Sequence, residues 1–218
     1  FETKSVDPNN PSADSTDVSL IDCESFDFAC ISTPDSEKIH LIESALNAGV
    51  DVIVEKPMPL LDIKYLEELK EKFNNANKKL YTAYNLRFEE SVIRLKDAID
   101  EGRLGEIYSI RVEYCNGTAE SVRQNGWRDS GKGVLTDLAS HAFNLIHWIF
   151  PNIDYKNWNQ ISKNHENAKF DHVLFHTTHE NTVISLECSY VSWENKFYFE
   201  VIGSEGLARV NSLTKWGK

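Results

Sequence analysis

The sequence predicts an α/β chain in two parts: a parallel βαβ segment, then an α+β segment with a large, mostly antiparallel sheet. Three observations point there. Short apolar runs alternate with amphipathic stretches between about residues 26 and 85, the order of parallel strands and their crossover helices. After Asn85 the strands are separated by short turns, which suits antiparallel pairing. With 218 residues, 41% of them hydrophobic, the chain can bury a real core as one large domain or two small ones.

Each element follows from local chemistry. The first 25 residues are polar and rich in turn formers, without a strand signal. Residues 26–32, FDFACIS, form a short apolar run suited to a buried parallel strand and are stopped by Thr33-Pro34. Asp35 or Ser36 can cap the next helix, whose Ile39, Ile42, Ala45, Leu46 and Ala48 follow helical spacing up to Gly49. VDVIVEKP is a second buried strand ending at Pro57. Residues 60–77 read as a second amphipathic helix with Ile63, Leu66, Leu69 and Phe73 on one side, and KKLYTAYN as a third strand. The style changes near Tyr84, so the predicted parts are residues 1–84 and 85–218. In the second part, residues 88–101 suggest a helix closed by Gly102, and 105–114 a strand. A long helix is expected over 133–150, then strands at 171–178, 182–190, 196–202 and 207–211.

Composition excludes several function classes. The net charge is −11, from 23 basic and 34 acidic residues, and Lys78-Lys79 is the nearest thing to a basic cluster. Binding to nucleic acid or to an anionic membrane is therefore not expected. Cys23, Cys30, Cys115 and Cys188 lack Cys-x-x-Cys spacing and are read as small core residues in a reducing compartment. The longest apolar run, residues 134–150, is interrupted by Asp137 and His141, and no signal peptide is visible. A cytoplasmic protein is the expectation.

The residues able to carry chemistry gather at strand ends and on one helix. In open parallel sheets, ligands bind beyond the carboxyl ends of the strands, where Thr33, Glu55-Lys56-Pro57 and Tyr84-Asn85 lie. Lys56 sits between an apolar strand and a proline, beside Glu55. That is a position for a functional lysine, or for one that snorkels from a strand end. Asp137 and His141 are four apart in GKGVLTDLASH and share a helical face. They can form a buried pair that shapes the core, or a carboxylate and a general base acting on one substrate. Gly131 and Gly133 at the helix entrance favour the second use, since small residues let a ligand approach the backbone. A metal site is disfavoured because His147 lies on another face and His172, His176 and His179 in a distant strand. Arg128 can clamp a phosphate or carboxylate and Trp127 can wall a ring. A surface Arg packed on a Trp fits equally well, and Arg87 carries the same ambiguity.

FDFACISTP, His40, ALNAGVDVIVEKP, YNLRFEE, EGRLGEI, GWRDSGKGVLTDLASH and VIGSEGLARV come in an order and at a spacing that resembles the Gfo/Idh/MocA family of NAD(P)-dependent oxidoreductases. The resemblance covers roughly residues 26–213. It implies part of a Rossmann domain followed by an α/β domain with a large antiparallel sheet, and a cofactor that is NAD or NADP. It places Lys56, Asp137 and His141 in the active site. His141 would be the general base on a sugar hydroxyl, Lys56 would polarise the oxygen and Asp137 would orient the substrate. The cofactor would lie against Thr33, Pro34, Glu55, Lys56, Pro57, Trp127 and Arg128. The substrate would meet Asn85, Arg87, Lys56, Asp137 and His141. The stretch from VEYCNGTAE to GKGVL is most similar to members working on sugars or nucleotide sugars, in preference to an inositol. The family's sheets commonly pair in homo-oligomers, so a dimer or tetramer through the C-terminal sheet is implied.

The chain also departs from that pattern. Residues 1–25 supply no G-x-G-x-x-G turn to cradle phosphates, and with it goes the residue that would choose between NAD and NADP. Lys132 stands between Gly131 and Gly133 where a glycine is frequent, and Ala139 where a glycine usually precedes Ser-His. A piece of a longer enzyme is expected. The alternative is a non-catalytic module that assembles through its open sheet.

Overall fold

The computed structural model describes residues 2–59, 62–125, 129, 131–154 and 157–216. The chain divides into two compact units, Phe1–Ala83 and Tyr84–Lys218, each described by itself below.

The first unit is built as β1 (Phe28–Ile31), α1 (Asp35–Asn47), β2 (Asp51–Glu55), α2 (Ile63–Asn75) and β3 (Leu80–Ala83). The strands form a parallel sheet in the order β1-β2-β3, with Ile31 beside Val54 and Glu55 beside Ala83. Its core joins Ile31, Val52 and Val54 of the sheet to Ile42 and Ala45 of α1 and Leu69 and Phe73 of α2. Three expectations need correction. β1 and β2 are buried on one face only, because side chains alternate across a strand: Val52 and Val54 are buried, while Ile53 and Cys30 are exposed. The cap position of α1 is Pro34, with Asp35 inside the first turn. On α2, Ile63 is exposed, since it directly follows the Asp62 cap and stands ahead of the turns that bury Leu69 and Phe73; Asp62 caps that helix through the Lys64 N–H. Ahead of β1 lie short 3-10 turns at Val18–Leu20 and Cys23–Ser25 and a single bridge between Val6 and Ser15.

In the second unit a 3-10 turn (Asn85–Phe88) leads into α3 (Glu90–Asp100), β4 (Ile107–Cys115) and α4 (Ala119–Gln124). Next come a π-helical turn (Leu135–Ala139) and α5 (Ser140–Ile149). The remaining strands are β5 (Asn159–Lys163), β6 (His172–His179), β7 (Thr182–Ser189), β8 (Lys196–Gly203) and β9 (Leu207–Val210). They form one sheet in the order β5-β6-β7-β4-β8-β9, parallel between β4 and β7 and antiparallel elsewhere. One face is apolar. Ile110, Val112, Ile184, Leu186, Phe197 and Phe199 from the strands join Leu138, Ala142, Leu145 and Ile146 from the helical segment in one core. The other face is polar, with Glu113 held by Arg111 and Lys196, and Glu200 held by Arg209 and Tyr198.

The sequence gives no warning of α4 or of β5, whose residues NQISK are nearly all exposed at the sheet edge. The expected helix over 133–150 is broken into the π turn and α5. Gly49 and Gly102 end α1 and α3 at positive φ, 71° in both, which favours glycine. Of the cysteines, Cys115 and Cys188 are core residues; Cys23 is half-buried and Cys30 exposed because the outer face of the small sheet is open. Among the described residues no helix is long and apolar enough to cross a membrane.

Candidate functional site

In the first unit, Thr33 and Pro34 follow β1, while Glu55 ends β2 and Lys56 and Pro57 follow it. All five stand at the carboxyl end of the parallel sheet, where such sheets take their ligands. The Lys56–Pro57 peptide is cis. A residue that sequence reasoning missed fixes this turn. Lys38 of α1 is only 2% exposed, and its Nζ donates to Asp35 Oδ1 at 2.8 Å and to the Pro57 carbonyl at 2.9 Å. The one available signal was the Asp35/Lys38 pair at i,i+3, which alone reads as a surface ion pair. The Thr33 hydroxyl is buried without a hydrogen-bond partner among the described residues. A polar atom left open at the end of a parallel strand fits one edge of a nucleotide cofactor.

In the second unit, Asp137 lies in the π turn and His141 in the first turn of α5. Ser140 supports this irregular segment, its hydroxyl donating to the Thr136 carbonyl at 2.7 Å and lying 3.2 Å from that of Asp137. Such wide turns are frequent at functional sites. His141 is 7% exposed and meets the rings of Tyr84 and Tyr114 edge-on, with centroids 5.6 and 6.0 Å away. Asp137 Oδ2 accepts a hydrogen bond from the Tyr190 hydroxyl at 3.0 Å. Burial, and then the charge of Asp137, push the Tyr114 phenol up to about 12; burial also raises Tyr84, with the polar contact to Ser140 and then the charge of Arg87 acting the other way. These phenols therefore stay protonated donors at neutral pH. A carboxylate and a nearly buried imidazole enclosed by tyrosines can orient a hydroxyl and take its proton.

The glycine before this segment serves another purpose than the expected one. Gly133 has φ +58°, and a Cβ there would collide with the carbonyl oxygen of Phe170, so the close approach is that of backbone and not of a ligand. Arg87 is bound into the fold: its Nε donates to Asn144 Oδ1 at 2.7 Å, and its guanidinium lies over the Trp148 ring at 5.6 Å. Asn85 is exposed at the start of the same 3-10 turn. Trp127 and Arg128 lie outside the described residues. Beside His141, on the adjacent face of α5, a cavity of about 590 Å³ is walled by Tyr84, Phe143, Trp158 and Phe175 and edged by Asn144 and Gln160. Among the described residues no three His, Cys, Asp or Glu side chains are grouped to hold a metal ion.

Comparison with known proteins decides the lineage of this arrangement. Residues 92–209 match the model of the GFO/IDH/MocA C-terminal domain, and residues 5–84 that of an oxidoreductase family with an NAD-binding Rossmann fold. The chain belongs to the Gfo/Idh/MocA family. Gfo/Idh/MocA relatives include the inositol 2-dehydrogenase of Rhizobium meliloti, 28% identical over 56% of this chain and 36% of the relative. The D-apiose dehydrogenase of Paraburkholderia graminis is 25% identical over 89% of this chain and 53% of the relative. Among solved structures, the apo scyllo-inositol dehydrogenase from Lactobacillus casei superposes with a TM-score of 0.72 at 26% identity, covering 85% of this chain and 56% of that one. The chain thus spans between about a third and about half of the length of the curated relatives it matches.

Proposed function

We propose that this chain carries the reaction centre of an NAD(P)-dependent oxidoreductase that interconverts a hydroxyl and a keto group on a sugar, nucleotide sugar or related polyol. The observation that carries the reading is the Asp137/His141 pair, on one helical segment beside an aromatic and amide-lined cavity, in a Gfo/Idh/MocA chain. Aromatic faces with a few polar side chains suit a ring that is apolar on its faces and polar on its edge. Relatives named for inositol and apiose support the coarse class; the nucleotide-sugar reading rests on the sequence of residues 112–135.

His141 takes the proton from the substrate hydroxyl as general base. Asp137, its carboxylate held by Tyr190, orients that hydroxyl. Lys56, on a turn pinned by Lys38, polarises the oxygen as its proton leaves. Thr33, Pro34, Glu55, Lys56 and Pro57 would hold the cofactor, with Trp127 and Arg128 added from the motif. When bound, the nicotinamide supplies the hydride acceptor or donor.

A second reading is favoured by the outer face of the six-stranded sheet, where Ile161, Val183 and Leu207 stand exposed among the charged side chains. In that reading the chain assembles with copies of itself through this face, as a partner of the catalytic role or in place of it. One experiment separates the two: turnover of sugars and polyols with NAD and NADP, measured with light scattering on the same samples. Lys56→Ala should lower turnover by 100-fold or more, of the order of a lost acid–base group, and leave assembly unchanged. Undiminished turnover in that variant would remove Lys56 from the mechanism. Assembly without turnover in the unaltered chain would favour the second reading.

A further inference from the structure

Asp137 is held by a set of contacts outside the motif that names it, and the inference drawn from them rests on the reading of Asp137 as part of the reaction centre. Residues 164–171 connect β5 to β6. Asp171 is fully buried, and its Oδ2 accepts from three successive backbone N–H groups, those of His165 at 2.8 Å, Glu166 at 2.6 Å and Asn167 at 3.1 Å. Bonds from amides to a buried carboxylate are charge-assisted and strong. The loop is tied outward as well. Asn167 donates to the Ala119 carbonyl at 2.9 Å, and Arg123 to the Glu166 carbonyl at 3.0 Å. The Asp129 carboxylate accepts from the N–H groups of Ala168 and Lys169, both at 3.2 Å.

Two adjacent carbonyls of this braced loop hold both ends of one hydrogen bond. The Phe170 carbonyl accepts from the Val134 N–H at 2.8 Å, three residues before Asp137, in the close approach that Gly133 permits. The Asp171 carbonyl accepts from the Tyr190 N–H at 2.7 Å. Tyr190, 1% exposed, then spans to Asp137 Oδ2. The separation between the carboxylate and the phenol is thereby set by neighbouring peptide units of a single clamped loop.

We propose that the loop of residues 164–171, braced by Asp171, is the positioning device of the reaction centre, and that it acts through Tyr190 to fix the orientation of the Asp137 carboxylate. Tyr190 and Asp171 are positioning residues; neither needs to touch substrate. A phenol donating to a carboxylate favours its charged form, so loss of the donor raises the carboxyl's titration midpoint.

The test is a carbon NMR titration of the Asp137 carboxyl in the full 218-residue chain, compared with Tyr190→Phe and Asp171→Asn. Tyr190→Phe should raise the Asp137 midpoint by about one pH unit. Asp171→Asn, which slackens the loop without touching Asp137, should raise it by less. Tyr198→Phe, on the outer face of the sheet, should leave it in place. A purely structural role would lower the melting temperature of the variants without moving this midpoint. An unmoved midpoint in a folded Tyr190→Phe chain overturns the proposal, and so does an unmoved one in folded Asp171→Asn, which removes the loop's part. Because the titration needs neither cofactor nor substrate, absent turnover would refute the enzymatic reading while a shifted midpoint still upheld the positioning device.

Discussion

Tyr114, Cys115 and Cys188 sit within one strand pair, β4 and β7, and burial is the first cause that raises all three groups. Tyr114 and Cys115 are each pushed up to about 12, and Cys188 stands well above the ordinary thiol value. The linkage has one sign: groups whose folded pKa is raised hold their protons more tightly when folded, so their stabilisation is complete below the unfolded pKa. It fades as pH rises. Urea unfolding should therefore show stability falling from about pH 9 upward toward pH 12, less steeply in Cys188→Ala when each variant is compared with its own neutral-pH value. At this scale the sequence was informative where chemistry is local. Lys56 was visible as a candidate beside a strand-stopping proline, and Asp137 and His141 as candidates by their spacing. Lys38, Tyr114 and Tyr190 were not, because the Pro57 carbonyl, the His141 ring and the Asp137 carboxylate that give them meaning are far away in sequence.

The helical segment from Gly133 to Ile149 shows what an element adds to its residues. Periodicity predicted one long helix, yet a π turn occupies Leu135–Ala139, since apolar spacing does not report which carbonyl each N–H chooses. Gly133 was legible as a constraint and misread as to cause: its close neighbour is the Phe170 carbonyl. Gly133→Ala should cost about 2 kcal/mol or more, from both the positive φ and the collision, and chemical denaturation will read it. The strands from β6 to β9 were found from apolar runs bounded by turn signals, whereas β5 escaped because an exposed edge strand of polar residues carries no apolar run to detect. Helix entry was misjudged at α1, where Pro34 holds the cap position that Asp35 or Ser36 would chemically suit; proline's fixed φ also suits the boundary.

Across the whole molecule, two units carry two halves of one proposed reaction: strand-end residues for a nicotinamide cofactor in the first, a proton-transfer pair in the second. The order of elements was legible because parallel and antiparallel sheets space their strands differently along a chain. The polar outer face of the larger sheet was legible only in part, since its ion pairs join β4 to β8 and β8 to β9 across the fold. The central claim is that these residues serve a nicotinamide cofactor. Titration of the purified chain with NADH and with NADPH, followed by nicotinamide fluorescence, addresses that claim most directly. The account predicts saturable binding in the micromolar range, weakened in Lys56→Ala. A folded chain that leaves the fluorescence of both cofactors unchanged would contradict it.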